Sequence, residues 1–272
     1  MKEITVIIPL HIFNDDVKTL LTRAIESVDE SVNIIISAKK GLGDTLAESI
    51  NFSNVEVVEN TSDETDFCSL VNYCVSNHIK SDWFSILEYD DFYMPYWFKV
   101  AYRYIYSDKG AKVYLPLVDL YDFERYEAKD KKSYCGYANE AAWASSFSDE
   151  LGYIDNECLQ SYFNFNMTGG IFHTDTFKEI GMLKPNIFMA FWYEFLLRIT
   201  NKKHRIYVIP KIGYNHFIER NGSLSKEISS SLSSPNEGEY WLNVAKQESY
   251  YTECRAVESY KNNKIEDDDA ND

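Results

Sequence analysis

Between Thr5 and Ile36 the chain reads TVIIPLHIFNDDVKTLLTRAIESVDESVNIII. Residues 5–8 are a short β-branched apolar run closed by Pro9, which predicts a buried strand. Asn14, Asp15 and Asp16 then offer a helix N-cap. After them Val17, Leu20, Leu21, Ala24, Ile25 and Val28 recur at the spacing of one helical face. A second apolar run follows at 32–36. Strand, helix and strand in this order form the βαβ unit of a parallel sheet.

Outward from this unit the alternation continues. Gly41-Leu42-Gly43-Asp44 predicts a turn and a short helix, and VEVV at 55–58 a third strand. Phe67, Leu70, Val71, Cys74 and Val75 share a helical face, and residues 83–87 form a fourth strand. The β-α-β-α-β-α-β series predicts an α/β fold, a mainly parallel Rossmann-like sheet flanked by helices. Farther on, residues 92–106 read as an aromatic-rich helix and 113–118 as a strand. Residues 119–165 are polar and tyrosine-rich and match no single period, as in a long excursion over an active face. A strand at 169–172, a helix at 174–180 closed by Gly181, a helix at 191–199 and a strand at 206–209 ended by Pro210 complete the body. SSSLSS at 229–234 reads as a linker. Trp241, Val244, Ala245 and Glu248 predict a C-terminal helix over about 237–260, and 263–272 a disordered acidic tail. The division expected is a domain over 1–228, with halves 1–118 and 119–228, then a linker and helix over 229–262.

Hydrophobic residues are 45% and charged residues 26% of the 272, which suits a globular chain and excludes collagen, coiled coil and wholesale disorder. No apolar run approaches the roughly 18 residues of a membrane span. The start, MKEITVIIPL, carries Glu3 and is broken by Pro9, unlike a signal peptide, so a soluble cytoplasmic protein is expected. Net charge is −16; the last ten residues contribute −4, so the body itself is acidic and lacks a general nucleic-acid footprint. Five cysteines, odd in number and without a CxxC pair, are read as reduced, buried thiols.

In an open parallel sheet, ligands bind beyond the carboxyl ends of the strands. Pro9-Leu10-His11, residues 37–44, residues 60–63 and Glu88-Tyr89-Asp90-Asp91 therefore converge. Three carboxylates in the last four residues repel one another unless a cation joins them. Hard oxygen ligands suit Mg²⁺ or Mn²⁺, and such ions bind phosphates, so a nucleoside diphosphate is the natural partner. The plainer alternative is that Asp91 caps the next helix and Glu88 is solvated. His78, His173 and His204 show no metal spacing and read as surface residues. Gly41-Leu42-Gly43 is too short for a dinucleotide fingerprint. The 21 tyrosines read mainly as packing.

ITVIIPLHIFND, AIESV, VEVVEN, SDWFSILEYDDFYMP, GGIFHTDTFKEIGML, YEFLLR and GSLS, in this order over about residues 4–225, resemble glycosyltransferase family 2. The resemblance implies a GT-A fold, with a nucleotide-sugar half joined to an acceptor half, and inverting sugar transfer to a hydroxyl acceptor. Glu88 and Asp90 match the family's Asp-x-Asp pair. Asp90 would bind the divalent ion that bridges the donor diphosphate, with Glu88 facing the ribose or a metal-bound water and Asp91, the adjacent acid, a catalytic candidate beside them. Pro9, His11, Asp44 and Asn72 fall at donor-binding positions, and Gly169 and Gly170 lie near the acceptor. His216 and Arg220 are the candidates for holding the diphosphate or the metal.

The sequence also departs from the family. The acidic pair after the second strand is Ser37-Ala38, and the arginine of the third helix is Val71. An inverting enzyme needs a carboxylate to take the acceptor's proton. Where the family commonly places Glu-Asp, this chain has Phe191-Trp192, and Glu194 is the nearest acid. Its alternative reading is a solvated position on an amphipathic helix. These departures keep a second function open, a non-catalytic descendant that binds sugar, nucleotide or protein. Sugar transfer to a modified DNA base is a third; it rests on aromatic residues around 89–106, against the net charge.

Overall fold

A computed structural model describes residues 3–107, 109–148, 150–162, 164–187, 190–218, 220 and 237–246. The alternating series is present as β1 (Ile4–Leu10), α1 (Asp15–Glu26), β2 (Asn33–Ala38), α2 (Gly43–Ser49), β3 (Val55–Glu59), α3 (Phe67–Asn77) and β4 (Trp83–Ile86). These four strands run parallel in the order β3-β2-β1-β4. The local signals act as read. Asn14 Oδ1 accepts from the Val17 N–H at 2.9 Å, a cap contributing about 1 kcal/mol. Asp66 caps α3 through Ser69 in the same way. Val17, Leu21, Ala24 and Ile25 bury the inner face of α1 against β1, a strand buried at every position.

β1 does not stop at Pro9. Pro9 and Leu10 continue the ladder opposite Ser37 and Ala38. The Ile7 carbonyl accepts from Leu87 on the β4 side, and the Leu10 carbonyl from Lys39 on the β2 side. Backbone groups alternate sides, so the missing N–H of Pro9 faces the β4 side, past the last β1–β4 pair at Ile7 and Ile86, and costs no ladder bond.

The second half contains β5 (Phe92–Tyr93), α4 (Trp97–Tyr106), β6 (Ala111–Asp122), α5 (Phe123–Glu127), β7 (Tyr134–Ala138), β8 (Tyr153–Ile154), α6 (Asn156–Ser161), β9 (Ile171–His173), α7 (Thr174–Glu179), α8 (Phe191–Asn201) and β10 (Arg205–Ile218). β9 pairs antiparallel with both β4 and β6, and β6 with β10 in parallel. The result is one sheet of order β3-β2-β1-β4-β9-β6-β10-β5, with β7 added on β6 and β8 on β10. This mixed half is the expected α+β portion, and the stretch 119–165 is organised within it.

Several boundaries differ from expectation for physical reasons. Residues 92–106 are a two-residue strand and then a helix, because Pro95 breaks the run and Tyr96 takes a left-handed φ of 66°. β10 runs through Pro210 because its register against β6 shifts between Val208 and Ile212, where ladder bonds are already interrupted. Gly169 and Gly170 lie in the turn before β9 rather than in the strand. Cys68, Cys74 and Cys158 are buried free thiols, and burial pushes Cys74 up to about 12; Cys135, on β7, is exposed. His78, His173 and His204 are half-buried rather than surface residues, and His173 Nδ1 bonds Thr176 at the start of α7. Among the described residues no helix is long and apolar enough to cross a membrane. The last described helix is Glu237–Ala245. The serine-rich linker, the expected helix beyond residue 246 and the acidic tail lie outside the described residues.

Candidate active site

β4 ends in the acid loop, and the far end of β10 lies beside it. His216 Nδ1 stands 2.8 Å from Asp91 Oδ2, while Asp91 Oδ1 accepts from the Phe217 N–H at 2.8 Å. Asp91 is thus fixed at both oxygens by one strand. The Tyr214 hydroxyl, from the same strand, accepts from the Glu88 N–H at 3.2 Å. The Tyr214 ring is fully buried, and Gly169 makes room for it. A Cβ at Gly169 would fall 2.3 Å from the ring, and the residue has a φ of +69°. The turn glycine thereby serves the acid loop. Gly170 is equally confined, by Leu115 and the Met167 carbonyl.

Two arginines complete the loop. Arg220 Nε lies 2.5 Å from Asp90 Oδ2, and its Nη2 donates to the Tyr89 hydroxyl at 2.5 Å. Arg23 of α1 donates from Nη2 to the Asp90 carbonyl at 3.2 Å and pairs through Nη1 with Glu127. Its guanidinium also lies over the Phe217 ring, 5.1 Å from the centroid.

Glu88, Asp91 and His216 each present one ligand atom, and these atoms all lie within 4.8 Å of one another. Two carboxylates and an imidazole suit a divalent cation such as Mn²⁺ or Mg²⁺. The electrostatics of the cluster fit that occupant. Burial and the Asp91 charge push Glu88 up to about 8, against the pull of His216 and Arg220. Burial and Asp91 also raise Asp90, opposed by Arg220. Burial alone would lower His216, but Asp91, through charge and hydrogen bond, with Glu88 and Asp90, raises it to about 9. Asp90, the acid expected to bind the ion, is not in this triad; its carboxylate is engaged by Arg220.

The other sequence-derived positions divide. Pro9 is buried at the end of β1, and the His11 ring lies 6.3 Å from that of Tyr89, so the β1 end does meet the acid loop. Asp44 is exposed in the first turn of α2, and Glu59 rather than Asp44 accepts from the Gly43 N–H, at 2.8 Å. Asn72 acts as a backbone mimic: its amide donates to the Leu183 carbonyl at 2.8 Å and accepts from the Leu183 N–H at 3.1 Å. It borders a polar cleft of about 230 Å³ along α3, with Asn60, Ser69 and Pro185.

Glu194 is not solvated. It is 0% exposed and pairs with Arg198, at 2.6 Å to Nε, and with Lys184, at 2.9 Å. Arg198 also donates to the carbonyls of Ile180 and Met182, so Glu194 anchors the segment after α7. Phe191 and Trp192 pack against Phe67, and Trp192 stacks on Phe172, in an aromatic cluster. Ser37, where the family has an acid, donates from its buried hydroxyl to the Leu70 carbonyl and joins β2 to α3. Tyr214 and Arg23 escaped the sequence reading. Tyr214 is detectable as the neighbour two along from His216 on an alternating strand; nothing local marks Arg23.

No protein-family model matches the sequence, and no curated protein matches it. Solved structures do. The chain superposes on Staphylococcus aureus TarS 1-349 in complex with UDP-GlcNAc with a TM-score of 0.62 and 14% identity, over 88% of this chain and 64% of that one. It superposes on the mannosyltransferase PcManGT from Pyrobaculum calidifontis, in complex with GDP-Man and Mn²⁺, with a TM-score of 0.55 and 13% identity, over 84% of this chain and 60% of that one. The chain therefore spans less than two thirds of either structure. The fold is that of the GT-A glycosyltransferases.

Proposed function

We propose that the chain is a metal-dependent glycosyltransferase that moves a sugar from a nucleoside-diphosphate sugar to a hydroxyl acceptor, with inversion at the anomeric carbon. The observation that carries this reading is the Glu88-Asp91-His216 triad at the carboxyl edge of a GT-A sheet. A divalent ion held by these three side chains supplies the positive charge that stabilises a diphosphate leaving group. The chain's own residues do the rest. Tyr214 and Phe217 fix the acid loop from β10 before any ligand arrives. Arg220 neutralises Asp90 and, through Nη1, has a donor to offer a phosphate oxygen. His11 and Tyr89 lie together where β1 ends. The two superposed transferases, whose structures hold UDP-GlcNAc or GDP-Man, support a nucleotide-sugar donor.

A thermal-shift panel of UDP-GlcNAc and GDP-mannose, with and without Mn²⁺, tests the reading, because a ligand selective for the native state raises its stability. A manganese-dependent shift followed by donor hydrolysis supports a transferase. No shift with either donor or with further nucleotide sugars counts against it. The aromatic cluster at Phe191-Trp192 and the engaged Glu194 favour one second reading, a binding protein on the same scaffold; donor binding without turnover would select it.

A further inference from the structure

β6 and β10 run side by side between β7 and β5, and next to the acid loop their pairings bring together groups that the donor reading does not use. Asp119 is in register with Asn215 on β10 and with Tyr137 on β7. Register partners share a face of the sheet, so the three side chains project together. Two residues along the same face lie Tyr121 and its partner Tyr134, with ring centroids 5.5 Å apart. Tyr134 and Tyr137 are 47% and 55% exposed.

Two oxygens here lack donors. Asn215 is 6% exposed, and its Oδ1 has no hydrogen-bond partner, a costly state for a buried amide. Asp119 is half-buried and has no hydrogen bond or ion pair among the described residues; burial raises its carboxyl above the usual range, with no cation to offset it. A ligand for this spot brings hydrogen-bond donors to two neighbouring acceptors. It brings an apolar face to rigid, amphipathic tyrosine rings. It carries no negative charge against Asp119. A neutral sugar has all three properties: hydroxyls that donate, a C–H face that stacks, and no charge.

We infer that Asp119, Asn215, Tyr137 and Tyr134 form a subsite for a neutral sugar unit, placed on one face of the β7–β6–β10 ladder to hold a carbohydrate acceptor. Its role as an acceptor subsite rests on the transferase reading; sugar binding by itself does not. The subsite is separate from the metal triad, since Asn215 and His216 are consecutive on a strand and point to opposite faces.

Saturation-transfer NMR with N-acetylchitobiose, mannobiose and maltose at millimolar concentration, without donor, tests it on the full chain. Transfer to the ring protons of at least one sugar is expected. Asp119→Asn, nearly isosteric, and Tyr137→Ala, at an exposed position, should each weaken binding about tenfold, while Tyr137→Phe retains it. No transfer from any of the three sugars, or transfer unchanged in both weakening variants, overturns the subsite. Binding of spermidine that is lost in Asp119→Asn, where none of the sugars binds, also overturns it and makes the pair a cation site. The UDP–Mn²⁺ thermal shift is measured in parallel on the same variants. Sugar binding with no donor shift would refute the transferase reading and leave the subsite standing; a donor shift with no sugar binding would do the reverse.

Discussion

The imidazole of His216 and the carboxylate of Asp91 are 125 positions apart in the chain and 2.8 Å apart in space. Asp91 is held at both oxygens by β10, yet each carboxylate oxygen has a second lone pair to give. The same contact that orders the acid therefore leaves it able to bind a cation, with Glu88 alongside.

Removing this contact should remove ion binding. Asp91→Asn and His216→Ala are each expected to weaken Mn²⁺ binding at least about a hundredfold and to abolish manganese-dependent donor stabilisation. Asp91→Ala should further destabilise the fold by about 2–3 kcal/mol, because the half-buried His216 loses its counter-charge and the Phe217 N–H its acceptor. Calorimetric titration of Mn²⁺ into the folded variants measures the first effect; unaltered affinity in both would refute the triad.

Stability should fall as pH rises. His216 is raised from 6.5 to about 9 on folding, so its contribution is complete below the unfolded value and lost as pH passes through 9. Glu88 is raised from 4.5 to about 8, so its folded environment disfavours the charged form and costs stability as pH climbs through that window. Both slopes have the same sign. The metal-free protein should melt at a lower temperature near pH 9 than near pH 6, and Mn²⁺ should stabilise more at the higher pH, where its ligands are deprotonated. A flat melting profile would show that the triad is not coupled in this way.

Gly169→Ala places a methyl group 2.3 Å from the Tyr214 ring at a residue with positive φ. A loss of about 2–4 kcal/mol is expected from overpacking and backbone strain together. Tyr214→Phe, which removes only the hydroxyl that meets Glu88, should cost about 1 kcal/mol and still weaken Mn²⁺ affinity. Chemical denaturation read beside metal titration separates the two effects.

Glu194→Gln should act on folding rather than on chemistry. Its carboxylate is fully buried between Arg198 and Lys184, and breaking such a pair costs about 3 kcal/mol. Turnover per folded molecule should match wild type. A collapse of the turnover rate with unchanged stability would instead make Glu194 the proton acceptor.

Asn72→Ala should lower stability by about 1–2 kcal/mol, since two backbone groups of Leu183 lose their partner. Donor affinity should not move; a large rise in the donor KM would return Asn72 to the donor site.

The first half of the chain was legible because its signals are local. The caps at Asn14 and Asp66, the apolar face of α1 and the buried runs of β1, β2 and β4 each fix their own element. The acid loop was legible for the same reason: an apolar run ending in Glu88-Tyr89-Asp90-Asp91 announces a charged strand terminus. What could not be read is which acid turns where. Asp90 and Asp91 are equivalent in sequence, and only the arrival of His216 from β10 and of Arg220 from beyond its end assigns one to an arginine and the other to the triad. Glu194 looked solvated because helical period alone does not reveal that Arg198 and Lys184 enclose it. β10 looked short because Pro210 ends a regular strand, and a register shift is not visible in the sequence.

β10 supplies Tyr214, His216 and Phe217 to a loop that left the sheet at residue 88. During synthesis from the amino end, Glu88, Asp90 and Asp91 emerge with no partner but water, and they repel one another until the chain has extended past residue 220. This corner therefore cannot close before β10 has emerged. The pairing of β10 on β6 joins segments far apart in the sequence, the kind of long-range contact that slows folding.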